Sequence, residues 1–164
     1  MKNVFLIKYG ELAIKGKNRH LFENKLVANI KKNLKTIGEF VVSKEQGRIM
    51  VEPVDDAQIE VEQVLDRLSR IFGIIGIAYG LKEEEVSFEA IKRLALMQMQ
   101  QECADGPITF KVETKRADKR FPMNSMEISA EIGGYLLDKL GDKAKVDVRH
   151  PDVTLMVELR NHTY

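Results

Sequence analysis

A lone cysteine, Cys103, excludes an internal disulfide and any zinc site made from several thiolates. It closes an apolar helical pattern, which leaves a nucleophile or, the commoner fate of a single cysteine, a half-buried core thiol. Histidine is also scarce. His20, His150 and His162 show no four-residue spacing and no cysteine partner, so they read as surface or hydrogen-bonding groups rather than ligands. The G-x-S-x-G, H-E-x-x-H and dinucleotide-binding glycine patterns are missing. Asp147 and Asp152, flanking Arg149, His150 and Pro151, come nearest to an acid/base pair, but beside proline such residues ordinarily shape a turn. No apolar run approaches the roughly 18 residues of a membrane span, and no basic-apolar leader opens the chain, so a cytoplasmic protein with no membrane partner is expected. These absences favour a binding module over a self-sufficient enzyme.

What is present begins with charge. With 44% hydrophobic and 31% charged residues in 164, the chain is long enough for one compact domain or two small ones. Its net charge of +1 hides an uneven layout. Residues 1–35 hold nine Lys/Arg against two Asp/Glu, residues 36–110 hold seven against fourteen, and residues 111–164 hold ten against nine. A positive end beside an acidic middle points to an anionic partner that touches one region.

The periodicity is legible along the whole chain. "NVFLIKY" (3–9) reads as a strand. From Asn18 to about Ile37, Phe22, Leu26, Val27, Ile30, Leu34 and Ile37 share one helical arc, and Lys25, Lys31, Lys32 and Lys35 lie opposite; Gly38 supplies the stop. "FVVSKE" (40–45) and "RIMVEP" (48–53) make a hairpin. Asp56 then caps a helix through about Arg70, with Ile59, Val61, Val64, Leu65, Leu68 and Ile71 inward, and "IIGIAYGLKEE" (74–84) is a strand. The order β-α-β-β-α-β is the split arrangement of a ferredoxin-like α+β domain. Beyond Glu83-Glu84-Glu85, Ser87 caps a helix reaching about Cys103, in which Met97 and Met99 read as core fillers. A strand over 108–114 follows, then a helix over 125–140 begun by an Asn124/Glu127 capping box, then strands in "AKVDVRH" and "VTLMVELR". The chain stops just after a strand, with a sheet edge that suggests a piece of something longer.

Two lysine-rich stretches carry the candidate chemistry. "LIKYGELAIKGKNR" (6–19) hints at a phosphate loop, but Gly10 and Gly16 are five residues apart rather than four, and Asn18 stands where a magnesium-binding hydroxyl belongs. A solvated basic turn, or a nucleic-acid contact through Lys15, Lys17 and Arg19, remains open. "KVETKRADKRFP" (111–122) sets Lys111, Lys115, Arg116, Lys119 and Arg120 against Glu113 and Asp118 in a strand-to-helix connection. Such cations pair with phosphate oxygens, Arg bidentately, and the free amides of the next helix aim the same way. Phe121 either stacks on an unpaired base or tucks into the core.

Three stretches, "KYGELAIKGKNR" (8–19), "VETKRADKRFP" (112–122) and "VDVRHPDVTLMVELR" (146–160), resemble the amino-terminal half of the tRNA 4-thiouridine synthetases, also called ThiI or tRNA sulfurtransferases. The resemblance implies a ferredoxin-like domain over 1–76 and an α/β THUMP domain over 77–164, together binding the acceptor stem and single-stranded 3′ CCA end of tRNA. It implies nucleic-acid contacts at Lys15, Lys17, Arg19, Lys115, Arg116, Lys119, Arg120, Phe121 and Arg149. In the family, catalysis belongs to a further pyrophosphatase domain that uses ATP and magnesium. A cysteine desulfurase supplies the sulfur, a homodimer forms, and sulfur transfer also serves thiazole and thiamine synthesis. This chain has no S-G-G-x-D-S loop and none of that domain's cysteines, so no catalytic residue and no cofactor is expected within it. Another THUMP enzyme, such as a methyltransferase, and a nucleotide-binding enzyme using the lysine-rich loop stand as alternatives.

Overall fold

The computed structural model describes residues 1–10, 18–45 and 47–164, and the chain divides into two compact units, Lys2–Gly80 and Leu81–Tyr164 with Met1. The first unit contains β1 (Lys2–Tyr9), α1 (Asn18–Leu34), β2 (Phe40–Glu45), β3 (Arg48–Pro53), a single helical turn at Asp56–Gln58, α2 (Val61–Ser69) and β4 (Ile74–Lys82), whose last residues pass the division. Its sheet has the order β2-β3-β1-β4, with β3 antiparallel to both β1 and β2. This is the ferredoxin-like arrangement read from the sequence.

Alternation decides which sheet face the helices cover. Phe5, Ile7 and Tyr9 of β1 join Ile49 and Val51 of β3 in one core with Leu26, Ile30 and Leu34 of α1 and Val64 and Leu68 of α2. Each Leu or Ile closed off in this way stabilises the fold by about 1.5–3 kcal/mol relative to exposure. The basic face of α1 is exposed throughout, at Lys25, Lys31 and Lys32 and at Lys35 just beyond the helix.

Two boundaries differ from the sequence reading. α1 ends at Leu34, three residues before Ile37, and the chain turns there through a hydrogen bond from the Ile37 amide to the Leu34 carbonyl. Asp56 caps no long helix. Asp55 caps the short turn instead, while the Asp56 carboxylate accepts hydrogen bonds from the backbone and side chain of Asn3, and α2 starts only at Val61. A long-range partner has taken the carboxylate that local pattern assigned to a cap.

The second unit runs α3 (Phe88–Glu102), β5 (Ile108–Arg116), α4 (Ser125–Leu140), a short helical turn, β6 (Ala144–Val146) and β7 (Val153–Leu159). The sheet order is β6-β5-β7, and β5 runs parallel to both neighbours. Ser87 caps α3 by accepting from the Ala90 amide, and Asn124 and Glu127 form the full capping box at α4. The core joins Ile91, Ala95 and Met99 of α3, Phe110 of β5, Ile128, Ile132, Leu136 and Leu140 of α4, and Leu155, Val157 and Leu159 of β7. After β7 the chain doubles back, so that Thr163 bridges both Leu159 and Glu83 and its hydroxyl donates to the Glu85 carbonyl at 2.6 Å.

Cys103 is buried at the end of α3, where its thiol donates to the Lys143 carbonyl at 3.4 Å. Burial raises its pKa, which disfavours the thiolate a nucleophile needs. Asp147 accepts from the amides of Arg149 and His150, and Asp152 from the amide of Thr109. Both carboxylates shape a turn.

Candidate nucleic-acid interface

The connection from β5 to α4, residues 117–124, is fixed by its own charged side chains. Arg116, the last residue of β5, turns its guanidinium onto the loop, and Nη1 donates to the carbonyls of Phe121 at 3.1 Å and Met123 at 2.9 Å. Phe121 and Met123 are half-buried and pack against the core of the second unit. Phe121 thus follows the second of the two readings open to it, as an anchor of the loop. Arg116 is a brace, and Nη1 is already committed to the protein.

Arg120 is also engaged. Its guanidinium clasps Asp118 through contacts of 2.7–3.1 Å, and the Asp118 carboxylate accepts from the Arg120 amide as well. These bonds, the side-chain ones first, hold the Asp118 carboxyl down at about 2 and push the Arg120 guanidinium up. Arg120 remains 91% exposed, so the pair stands in water, where such bonds exchange readily. Lys111 pairs with Glu113 at 2.7 Å, which lowers the Glu113 carboxyl. Among the described residues Lys115 and Lys119, both exposed, make no hydrogen bond or ion pair, although the Lys115 charge adds to the lowering of the Glu113 carboxyl. They are the cations the loop offers freely.

Beside Lys115 lies an open groove of about 450 Å³ between β5 and the first turn of α4, lined by Val112, Glu113, Thr114, Lys115, Ser125, Met126 and Ser129. The hydroxyls of Thr114 and Ser129 meet across it at 2.8 Å. Apolar walls, hydroxyls and one free ammonium suit a nucleotide's ring, ribose and phosphate. The capping box uses the amides of Asn124 and Glu127 and sets a carboxylate at the helix start, so fewer free amides face a phosphate than the sequence suggested. Sequence reasoning missed this groove, because its hydroxyls come from two elements and carry no spacing signal. It also missed that Asp118 is the partner of Arg120, although an aspartate two residues before a loop amide is an Asx-turn signature.

The remaining predicted contacts fall elsewhere. Arg149 lies in the β6–β7 connection, tied through Asp152 to Thr109 near the start of β5, whereas the basic loop leaves its other end. At about 3.3 Å per residue that separation is roughly 20 Å, so Arg149 is not part of the loop site. Lys15 and Lys17 lie outside the described residues. Arg19 belongs to the first unit and donates to Glu23 at 2.9 Å, an oxygen that also accepts from the Tyr9 hydroxyl at 3.0 Å. Burial alone raises the Glu23 carboxyl, but the bonds from Tyr9 and Arg19 outweigh it and hold the group below its ordinary value.

Comparison with known sequences gives two adjoining matches, a ThiI ferredoxin-like domain over residues 4–78 and a THUMP domain over 85–164. A probable tRNA sulfurtransferase of Caldanaerobacter subterraneus subsp. tengcongensis is 46% identical over 164 residues, and one of Acetivibrio thermocellus is 42% identical over 165. The chain belongs to the tRNA sulfurtransferase family. All of it is covered in both comparisons, and it spans about 41% of the length of each relative. The crystal structure of a 4-thiouridine synthetase–RNA complex with bound ATP matches 99% of this chain and 40% of its own, with a TM-score of 0.83 and 32% identity. This tRNA sulfurtransferase-family chain therefore carries the family's ferredoxin-like and THUMP domains. Among the described residues no cluster of His, Cys, Asp and Glu could hold a metal ion, and no helix is long and apolar enough to cross a membrane.

Proposed function

We propose that this chain is the tRNA-receiving part of a tRNA uridine sulfurtransferase, holding the acceptor stem and the single-stranded 3′ end while chemistry proceeds in a further domain. The likeness to an RNA-bound 4-thiouridine synthetase over 99% of the chain is the observation that carries this reading. The free ammonium groups of Lys115 and Lys119, beside a groove of nucleotide size, support it locally. Lys115 and Lys119 meet phosphate, the groove takes a terminal nucleotide, Arg116 and Phe121 keep the loop in shape, and Arg120 exchanges Asp118 for phosphate when RNA arrives. ATP and magnesium belong, in this proposal, to the further domain. A cysteine desulfurase as sulfur source, a homodimer, a link to thiamine synthesis and a cytoplasmic setting follow from the family reading.

Binding of this chain to an intact tRNA and to the same tRNA without its terminal CCA, each across a salt series, tests the reading. Trimming is expected to weaken binding clearly. With three cations at the loop, Lys115, Lys119 and the released Arg120, the CCA-dependent part of the slope of log affinity against log salt should be about −2 by the single-strand coefficient. Equal affinity for both RNAs would overturn the assignment of the 3′ end to the loop.

A further inference from the structure

The exposed face of α1 carries a second set of cations that the loop site does not use. Lys25, Lys31, Lys32 and Lys35 fall within about 120° of arc at 100° per residue, and Lys25 and Lys35 stand roughly 15 Å apart along the axis. A fifth lysine joins them from β2, where Lys44 donates to Asn24 of α1 at 2.8 Å. Among the described residues none of the five forms an ion pair with a carboxylate; Lys44 reaches one only through space, where its charge helps hold the Glu23 carboxyl down. Glu23 is the one acidic residue of α1, and it is buried and bonded to Tyr9 and Arg19 on another side of the helix.

This layout runs against what a helix does for its own stability. Exposed lysines are commonly placed four residues after a glutamate, but here the residues four before Lys25, Lys31 and Lys32 are Leu21, Val27 and Ala28, and the residue four before Lys35 is Lys31. Like charges at that spacing repel. The helix dipole favours Lys31 and Lys32 in the last turn, but it does not account for Lys25 in mid-helix or Lys44 on the neighbouring strand. An anionic partner accounts for all five.

We propose that the lysine face of α1 is a second RNA contact, one that grips the phosphate backbone of a duplex arm. The proposal rests on the RNA-binding reading above and adds a surface in the first unit. Duplex fits better than single strand because the face offers charge without stacking: α1's one aromatic ring other than His20, Phe22, packs against the core. Single strands are held largely by aromatic stacking, whereas duplex RNA is read by shape and by contacts to phosphate and 2′-hydroxyl groups.

The test compares the chain with K25Q/K31Q/K32Q/K35Q on three RNAs across a salt series: an intact tRNA, a blunt hairpin duplex with no single-stranded end, and a single-stranded oligonucleotide ending in CCA. The variant is expected to lose on the order of tenfold on the tRNA and the blunt duplex, with the slope flattened by about one for each lysine in contact, and to bind the oligonucleotide as before. Unchanged affinity and slope on the blunt duplex would overturn the proposal and leave the loop site standing. Failure of the unaltered chain to bind any of the three would bring down the RNA-binding reading itself, and this proposal with it. If the fourfold variant loses its circular dichroism melt, the pairs K25Q/K32Q and K31Q/K35Q are judged by the same criteria.

Discussion

Replacing Arg116 separates a phosphate contact from a brace. Its Nη1 donates to two loop carbonyls, Phe121 and Met123, in a half-buried setting. Hydrogen bonds from a charged donor contribute about 1.5–3 kcal/mol each, and the half-buried setting argues for the low end of that range. Arg116→Ala removes both and leaves two carbonyls to find water, for a loss of about 2–3 kcal/mol. In a unit of this size each kcal/mol shifts the melting temperature by roughly 4–8 °C, so the transition of the second unit should fall by about 10 °C or more. The chain has no tryptophan, so far-ultraviolet circular dichroism or calorimetry follows the melt. RNA binding by the folded fraction should weaken while its salt slope holds. Arg116→Lys keeps the charge without the planar fork and should be destabilised nearly as much as Ala. K115A/K119A should do the reverse, leaving the melt within about 0.5 kcal/mol and flattening the slope by up to about two. An Arg116→Ala protein with an unchanged melt and a slope flattened by about one would refute the reasoning and return Arg116 to the phosphate.

Asp118→Asn should release Arg120 and tighten tRNA binding, with the salt slope steeper by up to about one; weaker binding would show that the pair orders the loop for RNA instead. The Asp118 carboxyl, at about 2, lies below its unfolded value of about 3.9, so its tie to Arg120 is complete above pH 4 and fades as the pH falls toward 2. Tyr9→Phe removes one of the two bonds that hold Glu23 below its ordinary value and should lower stability at pH 7 by about 1 kcal/mol. Because a depressed carboxyl contributes stability only above its unfolded pKa, the deficit should shrink as urea melts are taken down through pH 4, and a deficit constant with pH would show that it comes from packing.

The fold was legible wherever a pattern repeats with a fixed period. The α1 stripe as far as Leu34 and the capping box of α4 landed on the residues read from the sequence, because burial and local hydrogen bonds write themselves into spacing. Asp56 was misread because its partner, Asn3, lies 53 residues away, and nothing near Asp56 announces it. The cations of the candidate site could not be told apart in the sequence for the same reason in a different form. Composition pooled Lys111, Lys115, Arg116, Lys119 and Arg120 as equivalent cations, and the family resemblance added Arg149. The structure commits Arg116 to carbonyls, lends Arg120 to Asp118, and sends Arg149 to the other end of β5. A cation is available to a ligand only after the protein's own acceptors have been served, and which acceptors those are depends on tertiary placement. By that criterion the clearest electrostatic signal among the described residues is α1, where four exposed lysines meet no described carboxylate and like charges sit one turn apart. It was visible in the sequence as a basic face, and it became an argument only once the structure showed that the helix's one acid is turned inward and already bonded.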